Sequence, residues 1–504
     1  MPAIVTNKFR VHNSEQFSES FSEASPNIYY LMLGRPQAFS TSTRPDSRTE
    51  NEGSDSSPIA SPDSVDAEFY TFDDAIAAKK ITSSNVSYVI PRRNWTTGTV
   101  YDMYRNDYGR RITGTTTAKT STSGASNLWD ATFYVLSSTF NVYKCLDNNS
   151  GVNSTVEPTG TSNSVLSTAD GYKWKYMYTL SAAQQVNFLS TDFMAVATNS
   201  TVSAAAVNGA LDVITVKTGG TGYTTSGASA TGTITSVPIR GDGSSGACTV
   251  TIASGVVTSV TITTAGTGYT YGYIRNADIL SQGGGTGSGA ELDVIIPPRN
   301  ITAAGSAFGG HGANAIKELG GFYVMLNVNF EGVESGSGSD VSAANDFRRV
   351  ALIRDPNSGG SAASSTTLRA TKAVRFAASP TPGTFQVDEE INQATTGAVG
   401  KVVEWDPTNR ILYYIQTRFN DEGADSNGNL TAFSTAAVIT GQTSSATGTP
   451  DTGFTNNVNG SSFTSGYSAS ELDSDTGDVM YIENRAPITR ATDQTENVKL
   501  VIEF

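Results

Sequence analysis

Strict alternation of apolar and polar residues recurs in three widely separated stretches, and it limits the fold more than any other feature of the chain. Tyr172, Trp174, Tyr176 and Tyr178 share one face; Phe322, Val324, Leu326, Val328 and Phe330 do so again; Val498, Leu500, Ile502 and Phe504 end the sequence in the same way. A period of two belongs to a strand with one buried face. Strands from both ends of 504 residues must then meet in one sheet system, and a β-sandwich is the ordinary way to bury two such faces.

Composition agrees. Only 16% of residues are charged, and 21 Tyr with 21 Phe argue for packed, turn-rich β-structure over disorder. A net charge of −14 speaks against a nucleic-acid surface, because phosphate affinity rests on Lys and Arg. No apolar run reaches the ~18 residues of a membrane span. A basic segment followed by an apolar core is missing at the N-terminus, so cytoplasmic synthesis is the default expectation. Cys145 and Cys248 read as small buried hydrophobes rather than a disulfide or zinc pair.

Helix signals are few. Residues 14–24 have Ser14 as a potential N-cap with Phe17 and Phe21 four apart; residues 71–80 place Asp73 and Asp74 early and Lys79 and Lys80 late, as a helix dipole prefers; Ser181–Leu189 is a third candidate. Residues 35–65 are almost without apolar side chains and predict a long surface loop.

Two stretches carry internal repeats. Ile214–Thr224, with its Gly219-Gly220-Thr221-Gly222-Tyr223, returns 46 residues later as Val260–Thr270, with Ala265-Gly266-Thr267-Gly268-Tyr269. Gly246-Ala247 before Val250 and Ile252 is matched by Gly289-Ala290 before Val294 and Ile296. This predicts a small β-domain of duplicated hairpins. Further on, Phe385, Ile391, Thr395, Ala398 and Gly400 recur 48 residues later as Phe433, Ile439, Thr443, Ala446 and Gly448, a second β-domain for which a barrel is one solution. Its flanks, Ser358–Thr367 and Thr449–Ser465, read as linkers.

Catalytic signatures are lacking. The run Gly283–Gly289 has no Lys-Ser/Thr pair at a helix start and reads as turn chemistry rather than a phosphate cradle. His12 and His311 are the only histidines, which leaves almost nothing for a triad or a zinc site. Carboxylate pairs of the glycosidase kind are available among 47 acidic residues, although clusters such as Asp388-Glu389-Glu390 ordinarily face solvent. Asp421–Asn429 offers oxygen ligands without the EF-hand order. Two polar-aromatic patches remain, Arg92, Arg93 and Trp95 after Pro91, and Asn484 and Arg485 after Glu483; these residue types favour interface hot spots, and equally fill cores and strand ends.

The second patch lies in Val479-Met480-Tyr481-Ile482-Glu483-Asn484-Arg485-Ala486-Pro487-Ile488, followed by Asp493-Gln494-Thr495-Glu496. This resembles the C-terminal block of the gene product 8 family, baseplate wedge subunits of T-even-type contractile-tailed phages, with Ala486 in place of a proline. Ala3–Arg10, Ile90–Trp95, Val142–Asp147, Asp170–Tyr172 and Phe347–Arg349 are similar to other blocks of that family, in its order. The resemblance covers roughly half the chain.

It implies a non-enzymatic structural subunit of the virion tail baseplate, assembled in the host cytoplasm, without cofactor, metal, nucleic acid or membrane insertion. It also implies a homodimer that packs against other wedge proteins, six wedges surrounding a hub. The expected fold is mainly β: a β-sandwich core of residues 1–200, 301–357 and 465–504 with a few short helices, and two inserted small β-domains, 201–300 and 358–464. Fibres or host surface are the partners expected for the insertions. A trimeric receptor- or glycan-binding adhesin is the alternative, and a carboxylate-based glycan hydrolase a third reading.

Overall fold

The computed structural model describes residues 4–23, 27–39, 52–112, 115–283, 285–298, 309–331, 341, 345–418, 423, 429–487 and 495–504. The fold is mainly β, built from antiparallel sheets. Two compact units divide the chain. One comprises Met1–Gln16, Ser87–Met325 and Val501–Phe504, the other Phe17–Val86 and Leu326–Leu500. No helix among the described residues is long and apolar enough to cross a membrane.

In the first unit, Asn141–Asp147 lies between Tyr134–Leu136 and Lys173–Thr179, and Leu166–Ser167 completes a four-stranded sheet. Alternation in Lys173–Thr179 was expected to leave one face polar, yet Trp174, Lys175, Tyr176, Met177 and Tyr178 are all buried. The register explains part of this. Tyr178 pairs with Val142 but Tyr176 with Tyr143, so a bulge intervenes. An irregularity of one residue exchanges faces: Tyr172, Trp174 and Tyr176 join Tyr101 and Cys145, whereas Tyr178 packs with Val142 and Phe133. The helix Ala182–Phe188 follows with the expected N-cap; Ser181 and Gln184 form a reciprocal capping box.

The first repeat takes a different form from duplicated hairpins. Ile214–Tyr223 pairs with the distant Gly285–Val294, and only Ala247–Ala253 with Val256–Thr264 is a hairpin between sequence neighbours. Each Gly-x-Gly-Tyr segment instead drives a tyrosine into the core. Gly220 and Gly222 have φ of 62° and 77°, Gly266 and Gly268 64° and 75°, so both copies share left-handed steps that glycine takes without strain. Tyr223 and Tyr269 are buried at 0% and 1% exposure. The Tyr223 hydroxyl accepts from Ala290 N–H (3.1 Å) and donates to Asn276 Oδ1; that of Tyr269 accepts from Gly246 N–H (3.1 Å) and donates to the Ile239 carbonyl. Each ring lies against a second glycine, Gly287 or Gly243, where a Cβ would come within 2.4 Å of a ring carbon.

In the second unit, a five-stranded sheet runs in the order Thr367–Arg369, Ala75–Ile81, Tyr29–Gly34, Arg349–Arg354, Asp478–Asn484. Its central strand Tyr29–Gly34 is buried at every residue. The helix expected over 71–80 is Val65–Asp73, capped by Ser64, and Ala75–Ile81 is a strand. Pairing on both sides, with Tyr29–Gly34 and Thr367–Arg369, outweighs the helix propensity of its alanines. The first helix likewise starts earlier than expected, at Asn7, and ends at Glu19; Ser14 lies inside it, its hydroxyl donating to the Val11 carbonyl. Of the loop expected over 35–65, residues 40–51 lie outside the described range, and Gly53–Ser54 and Ser57–Pro58 form a hairpin.

A seven-stranded sheet holds the second repeat, in the order Thr447–Gly448, Ile439–Gly441, Glu390–Gln393, Ala398–Asp406, Ile411–Ile415, Lys372–Arg375, Tyr467–Ser468. The chain after Thr447–Gly448 returns to the other end of this sheet: Phe376 and Pro450 form an antiparallel bridge, the Ala377 N–H donates to the Thr449 carbonyl (2.8 Å) and the Asp451 N–H to the Arg375 carbonyl (2.9 Å), so the sheet curls back on itself. The repeated positions Phe385, Ile391 and Ala398, with Phe433, Ile439 and Ala446, pack into one core. Asn357–Ser358 and Ser361–Ala362, expected as linker, form a hairpin.

Candidate assembly interface

The strand Val86–Pro91 delivers the first patch, in the first unit. Its backbone is fixed by the Trp95 N–H donating to the Leu136 carbonyl (2.8 Å) and the Leu136 N–H donating to the Arg93 carbonyl (2.7 Å). Arg92 is half-buried and donates to Asn94 Oδ1 (3.0 Å) and the Ser190 carbonyl (2.8 Å). The Arg93 guanidinium stands 4.5 Å from the Tyr134 ring centre and donates to the Ala131 carbonyl. Trp95 packs on the cluster of Tyr101 and Trp174, its Nε1–H donating to Ser154 Oγ (3.1 Å). All three side chains thus have internal partners and leave one flank at the surface.

The second patch, in the second unit, closes the strand Asp478–Asn484. Asn484 accepts from Arg349 Nε (2.9 Å) and donates to the Ile59 carbonyl (2.9 Å); the Arg485 guanidinium lies 5.8 Å from the Phe347 ring centre. Arg349 in turn donates to Asp74 (2.8 Å), Arg35 to Glu52 (2.7 Å), and Arg348 to Asp55 in a two-pronged pair (both 2.9 Å). Burial pushes the Asp74 carboxyl up, and Arg349 and Arg35 oppose it; burial pushes Arg35 down against the pull of Glu52 and Asp74. The network ties down Arg349, Arg348, Arg35 and Asn484. The strand Asp478–Asn484 itself reaches the surface.

Asp478–Asn484 is the edge of the five-stranded sheet, paired only with Arg349–Arg354 among the described residues. It nonetheless carries Val479, Met480, Tyr481 and Ile482, none fully buried and Met480 48% exposed. An apolar edge with unpaired N–H and C=O groups is a template for a further strand. Its continuation, Ile488 with Asp493 and Gln494, lies outside the described residues, as do Ala3 near the start and Asp421, Asp425 and their neighbours in the oxygen-rich loop.

One buried cluster was missed by sequence reasoning. Lys144, within the block Val142–Asp147, is wholly buried and pairs with Glu318, whose carboxylate also accepts from Gly312 and Asn314 N–H (both 3.0 Å). His311 sits beside it, edge-on to Tyr104 at 5.1 Å and with Nε2 3.9 Å from Asp212. Burial lowers Lys144 and, with Lys144 and Lys175 near, holds His311 well below its usual range, so the imidazole is neutral. With Lys144, Glu318 and His311 at 0–5% exposure, the cluster ties chain segments together. His12 is on the first helix, far along the chain, and contributes nothing there.

The family model described as Bacteriophage T4, Gp8 matches residues 3–152. That stretch includes Arg92, Arg93, Trp95 and Lys144, and the edge strand Asp478–Asn484 falls beyond it. No curated protein matches the sequence.

Proposed function

We propose, for a chain whose residues 3–152 match the bacteriophage T4 Gp8 family model, that it is a baseplate wedge structural subunit and links neighbouring wedge subunits through its edge strand Asp478–Asn484. The supporting observation is the half-exposed apolar edge, formed by residues that resemble the family's C-terminal block. The buried ion network behind it keeps Asn484 and Arg485 in register, so a partner strand meets a rigid template. A homodimer and contacts to other wedge proteins are the associations this reading expects. Rearrangement of those contacts accompanies contraction. The site of action is the virion tail, and the role is mechanical rather than catalytic.

Light scattering after size exclusion tests the first step: the reading expects about twice the 52.9 kDa of the chain. Met480→Asp places a charge on the exposed edge, where a surface change alters monomer stability by no more than about 0.5 kcal/mol. It should abolish co-purification with the other wedge proteins while the melting temperature holds. Unchanged co-assembly would remove the edge strand from the interface.

A further inference from the structure

The duplicated module of the first unit carries a surface unlike the rest of the chain. Of the 21 tyrosines, all within the described residues, only Tyr271 and Tyr273 are exposed, at 56% and 46%. They follow the buried anchor Tyr269 and flank Gly272, whose Cβ position is already crowded by Val294 at 3.0 Å. Asp242 holds this stretch by accepting from the backbone N–H of Thr270 (2.8 Å) and Tyr271 (3.1 Å). Arg240–Gly241 pairs with Gly272–Tyr273, setting Arg240 directly opposite Tyr273. Side chains two apart on an extended chain share a face about 7 Å apart, so Tyr271, Tyr273 and Arg275 form a row with Arg240 beside it.

The charge on this face is built, not incidental. Arg240 and Arg275 both grip the single carboxylate of Asp278, each through Nε and Nη2, at 2.7–3.2 Å. Asp278 is 5% exposed, whereas the guanidinium-bearing side chains stay 44% and 54% open. With the exposed Asp242 carboxylate held against the Thr270 and Tyr271 N–H groups, two cations stand beside two anions, and the face is charge-balanced in a chain of net charge −14. Among the described residues Nη1 of each arginine makes no hydrogen bond, which leaves planar donors beside two open phenol rings.

We propose that this face binds an acidic carbohydrate, sugar rings lying on Tyr271 and Tyr273 and a uronate-type carboxylate on the outward N–H groups of Arg240 and Arg275. A protein partner fits less well. Two tyrosines and two arginines fall far short of the ~800 Å² per side of a stable protein interface. Aromatic faces with planar charged donors suit a flat, hydroxyl-rich, anionic ligand. The inference stands independently of the wedge reading.

Calorimetric titration of the full chain with tetragalacturonate, maltotetraose and tetraglutamate tests it. Tetragalacturonate should bind, more weakly in 300 mM than in 20 mM salt, and Tyr271→Ala or Tyr273→Ala should each weaken it about tenfold at unchanged melting temperature. Arg240→Gln with Arg275→Gln should abolish it. The salt series on the unaltered chain serves if a variant misfolds. Equal binding of maltotetraose would overturn the anionic part, equal binding of tetraglutamate would make the surface a peptide site, and no binding of any probe, or binding indifferent to all four substitutions, would overturn the whole.

Discussion

Replacing Lys144 by methionine tests how far a single buried charge organises the first unit. Methionine keeps nearly the volume and removes the ammonium, so packing against Tyr104, whose ring centre lies 4.7 Å from Nζ, is largely preserved. What is lost is the partner of Glu318, itself 4% exposed. Removing one member of a buried pair costs about 3–5 kcal/mol, because the other charge stays desolvated. The N–H groups of Gly312 and Asn314 still point at the carboxylate, which places the expectation near the lower limit, about 3 kcal/mol. For a unit of this size that lowers its melting transition by about 6–12 °C. Calorimetry should report the shift, and hydrogen exchange at Asn141–Asp147 should assign it to this unit. Lys144→Met combined with Glu318→Gln should recover at least about 1.5 kcal/mol, since neither member of the pair then carries a charge. Simple additivity of the two single changes, or a loss under about 1 kcal/mol for Lys144→Met alone, would refute the argument that the pair is coupled.

Gly243→Ala and Gly287→Ala should each destabilise residues 214–294 by about 1–3 kcal/mol, since each Cβ meets a buried tyrosine ring at 2.4 Å; limited proteolysis should detect both, while Gly227→Ala, with only Thr225 Oγ1 at 3.8 Å, stays silent. Ile214 and Val294 are direct cross-strand partners, so the module begins and ends about 5 Å apart; replacing residues 215–293 with a short glycine link should leave the circular dichroism and co-assembly of the remaining chain intact. Burial raises the Asp170 carboxyl, but Thr168 and the N–H groups of Val156, Thr155 and Tyr172 outweigh it and hold it at about 2. A depressed value contributes stability above the ordinary carboxylate range that disappears as pH falls through the folded value, so Asp170→Asn should flatten the loss of melting temperature between about pH 4 and 2.

Much of the local architecture was legible in the residues. Alternation announced a mainly β chain, and the spacing of Phe385, Ile391 and Ala398 against Phe433, Ile439 and Ala446 identified a core before any sheet was seen. Ser181 announced its helix because capping needs only a hydroxyl and a glutamine three residues on. The two Gly-x-Gly-Tyr copies likewise carried their backbone steps in their glycines. The candidate patches were visible as residue types, but not that Arg93, Trp95 and Asn484 would be bonded inward, nor that the outward element would be the strand before Arg485.

What only the tertiary structure decided is which strand lies beside which. Residues 71–80 look helical by charge order, yet Ala75–Ile81 is claimed by strands 41–52 and 288–292 positions away in register, Tyr29–Gly34 and Thr367–Arg369. Lys144 sits in a run whose polar positions promise solvent, and becomes buried because Glu318 and the loop after Gly309 cover it. Periodicity and capping depend on neighbours within a few residues, so the sequence determines them by itself. Pairing, bulges and the burial of a charge depend on groups brought together from hundreds of positions apart, and only the folded chain supplies those.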